Sequence, residues 1–552
     1  MLIGLVGGPV GAQTAPDAGQ LLQQNQRNKA AVLPRPGEGA TVATPPPTLQ
    51  VASGATVTVK SFRFQGNTLL SDAQLQRMVT GYLDRPISFA ELQEAAALVA
   101  KRYTAAGRLA RVFLPAQDVT EGVVTLQVLE ARYGGTQVAQ SGQHVSTERA
   151  LAMLEQGQQP GQALDLVALD RALLLVGDLP GVQAGASLVP GRAAGETAVV
   201  LNLQDKPTVS GAAGIDNGGT RSTGEARVNA SMALNGAMGL GDLWTAQASA
   251  SRGSSFVQLG ASMPVGPAGT RIGLSGNALR YHLVGDFEAL NARGTASAWG
   301  LDVSHPLVRL RDVNLLLQAG VDDKRFHNKA NGADASVYDS QVWTVALSAN
   351  EVDEHGGAGT TTGYVGAQFG RLDLNGSPSQ AFDAAGPRTD GSFRKLRYQL
   401  AREQALLGEW SAFVSLQGQW ANRNLDSSEK FYLGGPQGVR AYPVSEGGGA
   451  SGQLVSAELR VRLGGGWRLA AFGDWGHIRT YVDDGFVGAT APSRYSLKGG
   501  GLSVDYSTPG GTSLNGVWAR RIGSNPLADA QGRDLDGSLR RNRFWLLASQ
   551  QF

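Results

Sequence analysis

From Lys206-Pro207 onward the helical period disappears, and residues 207–552 carry sixteen segments in which polar and apolar side chains alternate. Ser456, Glu458, Arg460 and Arg462 interleave with Val455, Ala457, Leu459, Val461 and Leu463, a strand with one polar and one apolar face. Trp410, Ala412, Val414, Leu416 and Trp420 oppose Ser411, Phe413, Ser415, Gln417 and Gln419 in the same way. The first segment begins near Val209, the eighth near Asp339 and the last near Arg541, with Gly-, Asp-, Asn- and Ser-rich turns between them. An even number of antiparallel strands closes a barrel, whereas a soluble sandwich of sixteen strands leaves unprotected edges. The pattern predicts a transmembrane β-barrel over 207–552.

Other features agree with a barrel and exclude a helical membrane protein. No run of about 18 apolar residues exists, the longest candidates being Leu2–Ala12 and Ala172–Gly177. The mean hydropathy of -0.14 suits strands whose alternate side chains face a wet lumen. Leu2–Val10 followed by Val10-Gly11-Ala12 reads as the h-region and small-residue end of a secretory signal, so residues 1–12 are expected to be its remnant. The last segment, Arg543–Phe552, ends on an aromatic residue, as membrane-assembly signals of outer-membrane barrels do.

Ahead of the barrel the composition changes three times. Residues 13–30 hold a polar helix, Asp17–Ala30, capped by Asp17 and almost without an apolar face. At 1.5 Å per residue it is about 21 Å long, and with so little apolar face it is suited to water or a polar cavity. Residues 31–55, with Pro34, Pro36 and Pro45-Pro46-Pro47, form an extended linker. Residues 56–131 then show strand, helix, helix, strand, strand, with Leu75, Met78, Val79 and Tyr82 on one helix face and Leu92, Ala96, Val99 and Tyr103 on the next. The same order returns in residues 132–206, which makes a tandem α+β repeat.

Enzyme chemistry finds no footing. No G-x-S-x-G and no H-E-x-x-H occurs, the six histidines show no ligand spacing, and there is no cysteine. Gly434-Gly435-Pro436-Gln437-Gly438 lacks the Lys-Ser/Thr of a phosphate loop. A net charge of +2, with basic residues scattered among acidic ones, leaves no footprint for nucleic acid. The expectation is no enzyme, no cofactor and no metal ion.

The most informative stretch is Leu433–Gly452, between the eleventh and twelfth segments. If the first segment starts in the periplasm, parity puts this connection at the extracellular end, and its length allows it to fold back into the lumen. On the thirteenth segment Trp467, Leu469, Ala471 and Trp475 mark the lipid face, which turns Phe472, Asp474 and Gly476 inward. An inward carboxylate matches a loop guanidinium bidentately, so Arg440 and Asp474 are candidate partners. In a hydrated lumen the Coulomb contribution is about 0–1 kcal/mol, and bidentate charged hydrogen bonds raise it to roughly 1.5–3 kcal/mol.

Val439-Arg440-Ala441-Tyr442 after Leu433-Gly434-Gly435 resembles the loop signature Gly-Gly-…-Val-Arg-Gly-Tyr of two-partner secretion transporters. Phe472-x-Asp474-x-Gly476 resembles their barrel-strand motif. Two POTRA modules, a leading helix with its linker and a sixteen-stranded barrel extend the likeness to TpsB-type proteins, the group of the filamentous haemagglutinin and haemolysin transporters. Ala441 stands where that signature carries glycine, which bears on the loop backbone there. Leu114-Pro115-Ala116-Gln117-Asp118 with Gly122, and Leu179-Pro180-Gly181-Val182 with Leu188-Val189-Pro190-Gly191, also look like segments of these modules.

The resemblance implies an outer-membrane protein of a Gram-negative bacterium that passes a large unfolded exoprotein to the cell surface without nucleotide hydrolysis. The exoprotein would carry its own N-terminal secretion domain and bind the periplasmic modules by strand addition, with Leu114, Pro115, Gln117 and Asp118 as candidate contacts. The helix would plug the lumen at rest. The remaining implied partners are outer-membrane lipid and, during biogenesis, periplasmic chaperones and the barrel-assembly machinery, which reads Phe552. Two rivals stand beside this reading: a barrel-assembly insertase, which carries three or five modules, and a passive porin, which carries none.

Overall fold

A computed structural model describes residues 16–26, 33, 42–43, 56–193, 195–489 and 492–552. Residues 1–12, expected to be a signal remnant, lie outside the described residues, as do 13–15, 27–30 and most of the 31–55 linker.

The alternating half closes into one antiparallel barrel of sixteen strands, each paired with its chain neighbours and the last with the first. Strand lengths run from 8 residues (Val209–Asp216) to 21 (Ala333–Asp353). Alternation sorts the side chains as expected. Trp299, Trp343, Phe369, Trp420 and Phe544 stand on the outer surface, each at least half exposed, where lipid covers apolar area. Closure joins Ala212–Asp216 to Leu547–Gln551 over five residue pairs, and Gly211 and Phe552 then exchange two backbone hydrogen bonds of 3.0 Å.

The two modules ahead of the barrel each pack two helices on a small sheet. In the first, Ser61–Gln65, Val123–Glu130 and Ala110–Phe113 form the sheet, and Asp72–Val79 and Phe89–Ala105 cover it. Ser88 and Glu91 form a reciprocal capping box at the start of Phe89–Ala105 (Glu91 N–H to Oγ, 3.3 Å; Ser88 N–H to Oε2, 2.8 Å). Leu92, Ala96, Val99 and Tyr103 are buried against Val124, Leu126 and Val128, the faces that the helical and strand periods select. Burial pushes the Glu130 carboxyl up, but the Thr68 hydroxyl, the Leu69 amide and the Tyr103 hydroxyl all donate to it and hold it below its ordinary range.

The second module repeats the plan with helices Thr147–Glu155 and Leu166–Gly177 on strands Arg132–Gln140, Val182–Pro190 and Glu196–Asp205. Asp165 caps the second of these helices through the amides of Val167 (2.9 Å) and Ala168 (3.0 Å). Its sheet has a fourth member, because Val42–Ala43 of the expected linker pairs in parallel with Ala186–Ser187. This module is pinned beneath the barrel. Arg309, at the end of the sixth strand, makes a fork to Asp178 (2.7 and 2.8 Å), and Arg311 in the following turn pairs with Asp170. The turn after an even-numbered strand therefore lies on the module side, which puts the connection between strands eleven and twelve at the opposite, extracellular end.

Candidate functional site

Among the described residues, two bodies occupy the lumen. The first is the helix Ala18–Gln26, nine residues and about 14 Å long, shorter over its described part than the 21 Å rod expected from Asp17–Ala30. Asp17 caps it as predicted, accepting from Gln20 N–H at 2.8 Å. Its surroundings differ from the expected polar cavity. Ala18, Leu21 and Leu22 are buried in an apolar nest with Phe256, Leu279, Tyr281, Phe326, Tyr338 and Leu372 on the barrel wall. Two adjacent leucines make a patch too narrow to register as a periodic face, and that is why the sequence reading passed over it.

The second body is the connection between Trp410–Ala421 and Ser451–Gly464, which is largely buried from Asn424 to Ala450 and so begins earlier than the expected 433–452. A two-rung hairpin, Phe431–Tyr432 against Gly448–Gly449, closes its base, and Val439, Ala441 and Tyr442 at its tip are fully buried. The tip meets the thirteenth strand, Trp467–Arg479. Arg440 sends Nε to Asp474 Oδ2 (2.9 Å) and an Nη to Oδ1 (2.7 Å), and its backbone N–H also reaches Oδ2 (3.0 Å). The other Nη donates to Glu458 Oε1 at 2.8 Å, and Ser456 Oγ receives a further bond at 2.9 Å. Phe472 lies under the guanidinium, 3.4 Å from carbon to ring centroid, and Trp545 on the last strand donates Nε1–H to the Arg440 carbonyl at 2.8 Å.

This pocket is dry where a hydrated lumen was expected. Asp474 is 4% exposed, and Leu433, Val439, Tyr442, Phe472 and Trp545 wall the site. Screening by solvent therefore does not apply, and removing one member of such a buried pair costs about 3–5 kcal/mol. Gly476 leaves room for the approach, since a Cβ there would sit 2.6 Å from Leu433 and 3.1 Å from Val439. Ala441 in place of the family glycine causes no backbone strain, because its φ is not left-handed, and its methyl sits over Gly499. Tyr442 stacks under Arg521, 4.6 Å from carbon to ring centroid.

Glu458 and Ser456 were read from sequence only as inward polar residues. Their register was the available signal: Ser456 pairs with Asp474 and Glu458 with Phe472 on adjacent strands. In the first module, Gln117 is engaged by its own fold, its amide bonding both backbone groups of Thr125 (2.7 and 2.6 Å) like one more strand residue. Asp118 closes a turn with Thr120, whose hydroxyl and amide hold the carboxyl below its ordinary range. Leu114 packs against the module core and Pro115 is half-buried beside it. Phe552 covers Gly211, where a Cβ would lie 2.6 Å from its ring.

The family model described as "Haemolysin secretion/activation protein ShlB/FhaC/HecB" matches residues 195–495, and "POTRA domain, ShlB-type" matches 57–131. The heme/hemopexin transporter protein HuxB of Haemophilus influenzae is 23% identical over 524 residues, 92% of each chain. The outer membrane transporter CdiB of Escherichia coli is 25% identical over 493 residues, 86% of this chain and 80% of that one. A solved structure of CdiB from Escherichia coli superposes with a TM-score of 0.66 at 21% identity, covering 97% of this chain and 98% of that chain. BamA from Haemophilus ducreyi lacking POTRA domains 1-3 shares the fold at a TM-score of 0.55 and 12% identity, over 90% of this chain and 100% of that one. With more than half of its length inside the family match, the chain belongs to the ShlB/FhaC/HecB family, two-partner secretion transporters of the outer membrane whose POTRA modules stand in the periplasm.

Proposed function

We propose that the two modules recognise an unfolded exoprotein by its N-terminal secretion domain and deliver it to a lumen that the helix and the inward loop keep shut at rest. The observation that carries this reading is the pair of lumen occupants, the helix and the loop tip, held through side-chain contacts outside the barrel ladder, above a second module pinned to the periplasmic mouth. Groups held in this way leave without unzipping a strand. Strand addition needs an open sheet edge, and Arg132–Gln140 is an outer strand of the second module. On the opposite edge Val42–Ala43 already covers Ala186–Ser187, so addition there requires the linker to depart first. Leu114, Pro115, Gln117 and Asp118 border the first module's sheet and would contact the partner through that border.

Transport on this reading uses no nucleotide hydrolysis and no bond chemistry in the chain. Phe552 serves as the signal to the barrel-assembly machinery, after periplasmic chaperones have kept the unfolded barrel soluble. The insertase alternative rests on fold likeness alone, and a helix seated in the lumen fits a conduit that must open and close. A porin needs neither the modules nor two lumen bodies.

Deleting residues 56–205 should abolish exoprotein secretion while the barrel still inserts, as judged by heat-modifiable migration in detergent gels. Continued secretion from an inserted barrel would move recognition out of the modules and overturn the proposal.

A further inference from the structure

Eleven residues before Arg440 the inward loop is held a second time. Glu429 is 2% exposed and lies between two lysines of the barrel wall, themselves buried. Lys324 Nζ, from the seventh strand, donates to Oε1 at 2.7 Å, and Lys395 Nζ, from the tenth strand, donates to Oε2 and to the Glu429 carbonyl. Gln419 on the eleventh strand also donates to that carbonyl at 2.9 Å. The loop is thus tied to one wall at Glu429 and to another, on strands twelve and thirteen, at Arg440.

The plug helix rests on the Glu429 side. Ser427 Oγ donates to both Asp17 carboxylate oxygens (2.8 and 2.7 Å), and Gln23 bonds the Lys430 carbonyl. Tyr338, in the apolar nest under the helix, donates to Asp426 at 3.1 Å. Gly19 fits because a Cβ would sit 2.8–2.9 Å from Tyr338, Ser427 and Ser428. The seat of the plug is therefore shared between the apolar nest on the wall and a piece of the loop, residues 426–430, and within that piece Glu429 is the group with two buried charge partners.

We propose that Glu429 is a positioning residue for transport: clamped by Lys324 and Lys395, it fixes the 426–430 arm as the seat of the plug helix, so plug release is set at Glu429 while the loop tip is set separately at Arg440 and Asp474. This rests on the reading of the helix and loop as resting occupants of the lumen. Charge arithmetic makes it specific. Asp322 and Arg397 face the same lysines, so three cations meet two anions here; losing Glu429 leaves three cations against one anion, whereas losing one lysine leaves the charges balanced.

The chain has no cysteine, so a single Ala298→Cys in the apolar nest under the plug gives one reporter thiol. In purified full-length barrels, Glu429→Gln should speed labelling of that thiol by a membrane-impermeant maleimide on the order of 100-fold. Channel conductance in planar bilayers should rise in parallel. Lys395→Gln should change labelling by less than about threefold, since the charges stay balanced. Neutralising all three with Lys324→Gln, Lys395→Gln and Glu429→Gln should restore much of the protection, which a role in packing alone would not do. Asp474→Asn should leave the thiol protected. Should Glu429→Gln fail to reach the heat-modifiable form, the Lys324→Gln/Lys395→Gln double variant leaves two anions against one cation instead and should likewise expose the thiol. Unchanged labelling in a folded Glu429→Gln or double-lysine variant, or equal exposure in Asp474→Asn, would overturn the proposal. These readouts need no exoprotein, so they stand or fall apart from partner recognition.

Discussion

The helix and the loop tip share one lumen, but Ala18–Gln26 is held by two buried leucines and scattered hydrogen bonds, whereas Arg440 is held by two carboxylates, an aromatic ring and a tryptophan N–H. Apolar contact is non-directional, and each leucine contributes about 1.5–3 kcal/mol by staying out of water. Such a seat gives way whenever a competing surface or an incoming chain offers similar cover. A forked ion pair in a dry pocket has one good geometry and fails abruptly when a partner is removed. The difference assigns the helix to the part that leaves and the loop tip to the part that stays until the barrel rearranges.

The largest effect expected from this comparison lies at the tip. Arg440→Ala leaves Asp474 buried with Ser456 as its remaining side-chain donor, and the loop should unseat by about 3–5 kcal/mol, which is about two to nearly four orders of magnitude in its closed population. Protease sites within 433–452 should become cleavable and secretion should fall with the protein still inserted. Glu458 keeps Arg460 at 2.8 Å, so it is Asp474 that drives the change. Asp474→Ala should act similarly, and the double variant should be less impaired than the sum of the singles. Arg440→Lys should recover only part, because one ammonium cannot reach both Asp474 oxygens, Ser456 and Glu458 together. Strict additivity, measured as secretion at equal barrel abundance, would show that the two residues act apart.

A smaller effect belongs to the helix. Leu22→Ala should weaken the plug by about 1.5–3 kcal/mol. Channel conductance should then move toward that of a chain lacking Asp17–Ala30, without loss of the protease protection of 433–452. If Leu22→Ala leaves conductance at the wild-type level while the deletion raises it, the polar contacts and not the leucines carry the seat, and the contrast drawn above is wrong.

What was legible in the sequence follows the same division. Alternation located all sixteen strands because lipid on one side and water on the other impose opposite demands on adjacent residues. It placed the eighth near Asp339, six residues late, because Ala333–Ser336 opens the strand with small and polar residues on both faces. Arg440 and Asp474 could be named from parity and a motif. The Lys324–Glu429–Lys395 clamp could not, since its three members come from segments about 30 to 100 residues apart and no local period marks them. The Val42–Ala43 strand was hidden in a proline-rich stretch for a related reason: its partner, Ala186–Ser187, lies in another module. Local rules report what a residue's own neighbours require, and lumen contacts are made by strangers.

The smallest effect separates charge from shape at the plug's own cap. Asp17 accepts from Gln20 N–H and from the Ser427 hydroxyl, and that hydroxyl lies 3.5 Å from Asp426, a second carboxylate. Asp17→Asn keeps an oxygen for the cap, where asparagine and aspartate are nearly equal, and removes a negative charge from beside another. Its net effect should be within about 1 kcal/mol, so conductance should stay close to wild type. Asp17→Ala removes both the cap and the acceptor for Ser427 and should cost about 0.5–2 kcal/mol, visible as more frequent openings with Leu22 still in place. A large rise in conductance from Asp17→Asn would mean that the helix, too, is held by charge, and the distinction between a greasy plug and an ionic loop would collapse.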